Sequence, residues 1–446
     1  MRVSRGAGAS RLGAVGAFAL LAMLTAVGEA RAQQQDTIRI GVEPNQDDEV
    51  EVIAIPSERD DDFFSGSSLS LKPRSYLLDR SRDVNPDNVG WSIGGGVEWK
   101  SGWWLDRIRL AATGSFAPVV YGPEEKDGTG LWQPGPEGIA VLSELNATVR
   151  FTEQSGLRVG RQRFELPYLG SHDIRMVPNT FRAIAVGDVS TAIDNLAWIV
   201  GYVDRIKLKN SDEFIPMSEA AGVEDEDRGV LMAGVKYLFP GGLELSATNQ
   251  HTFDIFNTFF AKAETEVALS GAWSIGLNLQ YTDQRDVGDA FDGDFETGLL
   301  SGKVELNYER TTFRVAASST RDQRGMFKPY GNPSNYLSVV FDDFDRAGED
   351  AWLVGITQDF GQVGPGELST FANIVHGNTP DSGANASPDE TEYDLTVDWH
   401  LNRSWSDRIW VRVRGAYIDQ DEDVGGDDFF DFRIIINYDY DILQGG

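Results

Sequence analysis

From Ser67 onward, apolar and polar residues alternate in runs of roughly ten, the period that sends successive side chains to opposite faces of a β-strand. Trp273, Ile275, Leu277, Leu279 and Tyr281 are interleaved with Ser274, Gly276, Asn278, Gln280 and Thr282. One face is greasy, the other wet. Tyr393, Leu395, Val397, Trp399 and Leu401 alternate in the same way with Asp394, Thr396, Asp398, His400 and Asn402. About eighteen such segments are predicted, an even count within the range of bacterial barrels. They start near Ser67, Trp91, Asp106, Ala140, Leu157, Phe181, Asn195, Gly229, Leu243, Asp254, Ala272, Phe295, Thr311, Asp350, Glu367, Thr391, Asp407 and Asp428.

The segments are too long and too numerous for a soluble sandwich, whose apolar faces must also meet each other. The pattern predicts an all-β fold, a transmembrane antiparallel β-barrel occupying 67–446 as one domain. Gap lengths alternate as such a barrel requires, with short links at 101–105, 153–156, 240–242, 361–366 and 402–406. Longer gaps lie at 79–90, 117–138, 165–180, 210–228, 282–294, 321–349 and 377–390. Register slips are expected between His251 and Gly271, where the alternation is weak. Aromatic residues gather beside the short links: Trp99, Trp103 and Trp104, then Trp399 and Trp405, then Tyr237 and Phe239. Such rings settle between headgroups and hydrocarbon, so they read as a girdle.

The first 32 residues read as an export signal. Arg2, Arg5 and Arg11 precede the apolar run Leu12 to Val27 and the small-x-small sequence Ala30-Arg31-Ala32. Residues 33–66 form an acidic, aperiodic lead-in expected on the periplasmic side. The net charge is −31, and the export segment carries four arginines and one glutamate, so without it the charge is −34. Nucleic acid is therefore excluded as a partner. The acidity fits solvated loops, divalent cations shared with lipopolysaccharide, or a preference for cations.

Cysteine is absent, and the four histidines lack zinc-ligand spacing, so neither a metal centre nor another cofactor is predicted. Asp292-Gly293-Asp294 and Asp421-Glu422-Asp423 do not follow the twelve-residue calcium-loop pattern. Ser171, His172 and Asp173 are triad residue types, but adjacent residues rarely reach triad geometry, and the chain has no Gly-x-Ser-x-Gly elbow. No enzymatic activity is predicted.

Several stretches resemble the OprD family of substrate-specific outer-membrane porins, in order from about Ser67 to Leu443. They include Leu157-Arg158-Val159-Gly160-Arg161-Gln162, Val177-Pro178-Asn179-Thr180-Phe181-Arg182 and Gly201-Tyr202-Val203-Asp204-Arg205. The sharpest is Asp343-Phe344-Asp345-Arg346-Ala347-Gly348-Glu349-Asp350-Ala351-Trp352-Leu353. The resemblance implies an eighteen-stranded monomeric barrel in a Gram-negative outer membrane, with its third, fourth and seventh outer loops folded inward. It also implies selective diffusion of small nutrients such as amino acids, small peptides and aromatic carboxylates. The chain departs from a carboxylate channel in its acidity.

A diffusion channel selects by pore width and by the charges at its narrowest ring. Parity points Lys72, Arg74, Arg107, Arg109, Arg205, Lys207, Arg412, Arg414 and Arg433 into the lumen, because at the lipid midplane each would cost about 2 to 4 kcal/mol. The resemblance implies a ladder of such groups for anions, with Arg412 and Arg414 the leading candidates. The same arginines could instead pair with lumen acids such as Glu98, Glu144, Asp394 and Asp398 and stiffen the wall. Two loops are expected to form the constriction: 165–180, with Tyr168, His172, Asp173 and Arg175, and 321–349, with Asp342, Asp343, Asp345 and Arg346. Three functions follow: a selective porin for small organic solutes, a cation-preferring or nonspecific channel, or an outer-membrane enzyme or structural anchor.

Overall fold

The computed structural model describes residues 63–189, 193–401, 408–421 and 424–443. The export segment, almost all of the acidic lead-in, the link 402–406 with Trp405, and Glu422 and Asp423 lie outside the described residues.

Within them the chain closes an antiparallel barrel of eighteen strands. They are β1 (Ser68–Arg82), β2 (Asn88–Lys100), β3 (Ile108–Ala117), β4 (Ile139–Arg150), β5 (Ser155–Gln162) and β6 (Thr180–Val189). Next come β7 (Leu196–Lys207), β8 (Val230–Leu238), β9 (Glu244–Thr252), β10 (Phe256–Ala268), β11 (Trp273–Asp286) and β12 (Glu296–Tyr308). The last six are β13 (Thr311–Thr320), β14 (Asp350–Val363), β15 (Gly366–Asn378), β16 (Glu390–Leu401), β17 (Ile409–Gln420) and β18 (Phe429–Tyr438). Each pairs with its neighbours in sequence, and β18 returns to β1 from Arg74↔Asn437 to Arg82↔Phe429. Closure leaves no open sheet edge in hydrocarbon, where unpaired backbone groups have no water to bond.

The alternation sorts the two faces. Trp352, Val354 and Ile356 point outward and are exposed, whereas Thr282, Gln284, Ser301 and Thr396 point inward and are buried by loops that fill part of the lumen. Two expected gaps are shorter than predicted. β1 runs on through Arg80 and Arg82, and β11 through Gln284 and Asp286, because strands facing water inside continue past the apolar band. The weak stretch after His251 is regular, with β9 and β10 paired from Glu244↔Glu264 to Thr252↔Phe256 without a slip.

Aromatic contacts flank the periplasmic turns: Tyr237 with Phe239, Trp273 with Tyr308, and Trp99 with Phe63. Trp103 departs from the girdle reading. It is fully buried, with the guanidinium groups of Arg109 and Arg150 at 4.8 and 4.4 Å from its ring, so it packs inside the periplasmic mouth.

Three outer loops turn inward, as the resemblance implied. Residues 163–179 form a small hairpin, Glu165–Leu166 against Leu169–Gly170; 208–229 carry a single helical turn, Met217–Ala220; and 321–349 cross the lumen. Phe164, Leu166, Leu169, Met217 and Tyr330 from these loops pack with Phe181, Ile199, Val203 and Phe256 of the inner wall. Apolar residues on the inner face of β6 to β10 thus have partners other than lipid, and the open lumen is displaced towards β11 to β18 and β1 to β5.

Candidate functional site: the loop constriction and the basic wall

The hairpin loop and loop 321–349 are locked together across the lumen. The backbone N–H groups of Tyr168 and Gly170 donate to the carbonyls of Asn332 and Tyr330 at 2.8 and 3.1 Å. Asn332 accepts from the His172 N–H at 3.0 Å and donates to the Glu165 carboxyl at 2.7 Å, and Glu165 also accepts from the Ser171 hydroxyl. Burial pushes the Glu165 carboxyl up, and the two hydrogen bonds pull the other way without cancelling it. Gly170 permits the approach, since a Cβ there would lie 1.7 Å from Asn332 Nδ2. Tyr168 completes the lock, donating to the Ser334 carbonyl at 3.3 Å and accepting from Thr282 at 3.2 Å.

Both loops are also tied to the wall. Arg74 of β1 grips Asp173 through two bonds of 2.6 and 3.0 Å and donates to the Arg175 carbonyl at 2.6 Å. Arg175 in turn donates to the Thr129 carbonyl at 2.9 Å. On the other side, Glu392 of β16 accepts from the N–H groups of Phe341 and Asp342 at 2.8 and 3.0 Å. Lys328 sits between Asp343 and Asp345 at 2.8 and 2.7 Å. Burial alone would lower this ammonium's affinity for its proton, but the two carboxylates outweigh it and hold the charge.

Among the described residues the loops leave open two recesses that border the basic wall. The first, of about 590 Å³, is bordered by Lys72, Arg74, Arg163, Asp173, Arg408 and Trp410. The second, of about 270 Å³, is bordered by Lys303, Arg314, Arg414 and Arg433, with Asp343 and Asp394 as its carboxylates. Strand β17 joins them, since Trp410, Arg412 and Arg414 share its inner parity and Arg408 immediately precedes it, the four spanning roughly 20 Å at the rise of a strand. Arg414 and Arg433 are direct cross-strand neighbours.

The sequence-predicted residues separate into distinct roles. Lys72, Arg74, Arg414 and Arg433 border the recesses, and Arg109 borders a small side recess beside Trp103. Arg412 faces inward but is bound bidentately by Asp398 at 2.7 Å, the wall-stiffening arrangement rather than an open rung. Arg107 is exposed on a periplasmic turn outside the lumen. Arg205 faces outward: a bulge after Val203 shifts the register, so Arg205 pairs with Arg182 on the face of exposed Ile184. Lys207 is sealed under the loops, its ammonium donating to the Leu208 carbonyl.

In loop 321–349 the expectation also changes. Asp342, Asp345 and Arg346 hold the loop itself, Asp345 through Lys328 and Arg346 through Glu349 and the Pro388 carbonyl, and only Asp343 reaches a recess. Arg158, Arg163, Lys303, Arg314 and Arg408 line the lumen without having been singled out, although the same parity reading marks Arg158, Lys303 and Arg314. The triad types diverge: Ser171 donates to Glu165, His172 lies against loop 321–349, and Asp173 pairs with Arg74.

A lumen narrowed by in-folded loops and lined on one side by arginine is a pore wall, and the comparisons agree. The model of the family described as outer membrane porin, OprD family, matches residues 61–442. The chain belongs to the OprD family. Among curated relatives, Porin D of Pseudomonas aeruginosa is 20% identical over 418 residues, covering 85% of this chain and 92% of the relative. The porin-like protein GalP of Pseudomonas putida is 22% identical over 376 residues, covering 83% of this chain and 85% of the relative. The OpdK structure of Pseudomonas aeruginosa is similar with a TM-score of 0.73 at 23% identity, over 85% of this chain and all of OpdK. A BenF-like porin from Pseudomonas fluorescens gives 0.75 at 19% identity, over 85% and 100% of the two chains. As an OprD-family porin, the protein resides in the outer membrane and its lumen is the route of small solutes.

Proposed function

We propose that this porin passes small organic anions, carboxylates among them, along the wall formed by β17, β18 and β1. The observation that carries the reading is the direct opposition of Arg414 and Arg433 above the second recess, four cations and two carboxylates bordering that recess. Arginine pairs bidentately with a carboxylate, and successive basic sites keep each stop shallow enough to leave. One solved relative, OpdK, was crystallised with vanillate, itself a carboxylate. A single chain closes the barrel and contains both recesses, so a monomer suffices.

The competing reading, a cation-preferring pore, follows from the net charge of −31. The two separate in planar bilayers under a salt gradient. Anion-selective reversal potentials, and currents reduced by benzoate-type carboxylates, support the proposal; cation selectivity unaffected by them overturns it.

A further inference from the structure

The outer wall carries a second basic group unrelated to the pore. On β5, β6 and β7 the register places Arg161 directly opposite Arg182, and Arg182 directly opposite Arg205. All three share the outward parity, Arg161 with Val159 and Arg182 with Ile184, which are 44% and 46% exposed. Each lies within two residues of its strand's extracellular end. Like charges in direct cross-strand register destabilise a sheet, so three aligned arginines call for anions.

The chain supplies two. Arg182 donates to Asp204 at 2.9 and 3.0 Å, and Arg205 to Asp227 at 2.5 and 2.7 Å. Among the described residues Arg161 pairs with no carboxylate; it donates to the Leu142 carbonyl at 2.8 Å and lies over the Phe214 ring at 4.3 Å. Exposed ion pairs of this kind hold their partners weakly, which leaves the guanidinium groups available to a stronger anion. Directly towards the membrane centre lie Val159, Ile184, Val200 and Tyr202, and Leu145 flanks Arg161 on the next strand, all apolar or amphipathic and exposed. Tyr202 marks the level at which hydrocarbon gives way to headgroups.

We propose that Arg161, Arg182 and Arg205 bind the phosphorylated headgroup of an outer-leaflet lipid, whose acyl chains lie on the apolar strip beneath. Guanidinium forks match phosphate oxygens bidentately, and basic groups at the membrane surface attract anionic lipid. The site makes direct contact with the phosphate and uses no bridging cation.

The test is native mass spectrometry of the full mature chain in detergent with added lipid A, its dephosphorylated form, or inorganic phosphate, all in chelator. The expected result is retention of phosphorylated lipid A, with apparent affinity about tenfold weaker in Arg161→Gln/Arg182→Gln/Arg205→Gln. Single-channel conductance of the variant should equal that of the wild type, which establishes that its barrel is folded. Equal retention by variant and wild type, equal retention of the dephosphorylated lipid, or a need for divalent cations would each overturn the proposal. Retention of inorganic phosphate alone would overturn the lipid assignment as well.

Discussion

Arg414 and Arg433 stand directly opposite one another on β17 and β18, two guanidinium groups held side by side on the water-facing wall. Their surroundings differ. Arg433 is almost fully buried and bound by Asp431, which also accepts from Arg80, so its charge is committed to the wall. Among the described residues Arg414 donates only to the Thr396 hydroxyl, at 3.2 Å, and it remains partly accessible. The pair therefore combines a fixed positive charge with an available one.

The first prediction uses that asymmetry. Arg414→Gln should shift the reversal potential away from anions and slow carboxylate entry in liposome swelling while leaving the barrel's gel-shift unfolding temperature unchanged. Arg433→Gln should lower that temperature as well, since it removes hydrogen bonds to a buried carboxylate that contribute about 2 kcal/mol. Equal behaviour of the two variants would contradict the division of roles.

Asn332 ties the two constricting loops through its contacts to Glu165 and His172. Asn332→Ala leaves the buried Glu165 carboxyl and the half-buried His172 N–H without that partner, at a cost of about 1 to 3 kcal/mol for the carboxyl. Loosened loops should give larger and noisier single-channel currents. Gly170→Ala should act in the same way, because the new methyl displaces the Asn332 side chain. The double variant should resemble either single one, since both break one contact; additive increases in conductance would indicate separate effects.

Asp173 neutralises Arg74 while anchoring the hairpin loop to β1. Asp173→Asn should free the guanidinium at the edge of the first recess, raising anion selectivity together with current noise. Anion selectivity that fell, with quiet currents, would show that Asp173 serves neither purpose.

The strands were legible because lipid outside and water inside impose opposite demands on alternate residues, and every barrel strand begins within three residues of its expected start. The same parity argument failed where the period breaks. The bulge at Asp204 sends Arg205 outward, whereas Glu144 faces the lumen as expected, although a register shift between Thr113 and Gly114 sets it out of phase with Leu142. Parity also cannot tell an open cation from a paired one: Arg412 and Arg414 occupy the same face of β17, but only Arg412 has an aspartate directly opposite. The inward course of loop 321–349 is aperiodic, and its key contacts, Lys328 between two aspartates and Asn332 beneath Gly170, join residues that no local pattern relates.

The last prediction concerns pH. His172 is half-buried between the two loops at the edge of the second recess, and its buried Nδ1 has no hydrogen-bond partner among the described residues. Burial, reinforced by the charge of Lys209, pushes its imidazole down to about 3, while Asp343 opposes the shift and Arg175 and Lys328 add to it. A depressed value means that neutral His172 stabilises the packed loops fully above the ordinary value of 6.5, and that this contribution is lost as pH falls towards 3. Asp345, pushed up to about 7 by burial, works in the opposite direction, stabilising the loops at low pH and less so as pH rises through that value. The two are separated by His172→Gln, which keeps a neutral polar side chain that cannot take up a proton. Between pH 7.5 and 4.5, wild-type currents should become noisier relative to those of the variant as protonation expels the imidazole from its pocket. Identical pH profiles for wild type and variant would mean that His172 does not govern how tightly the loops close.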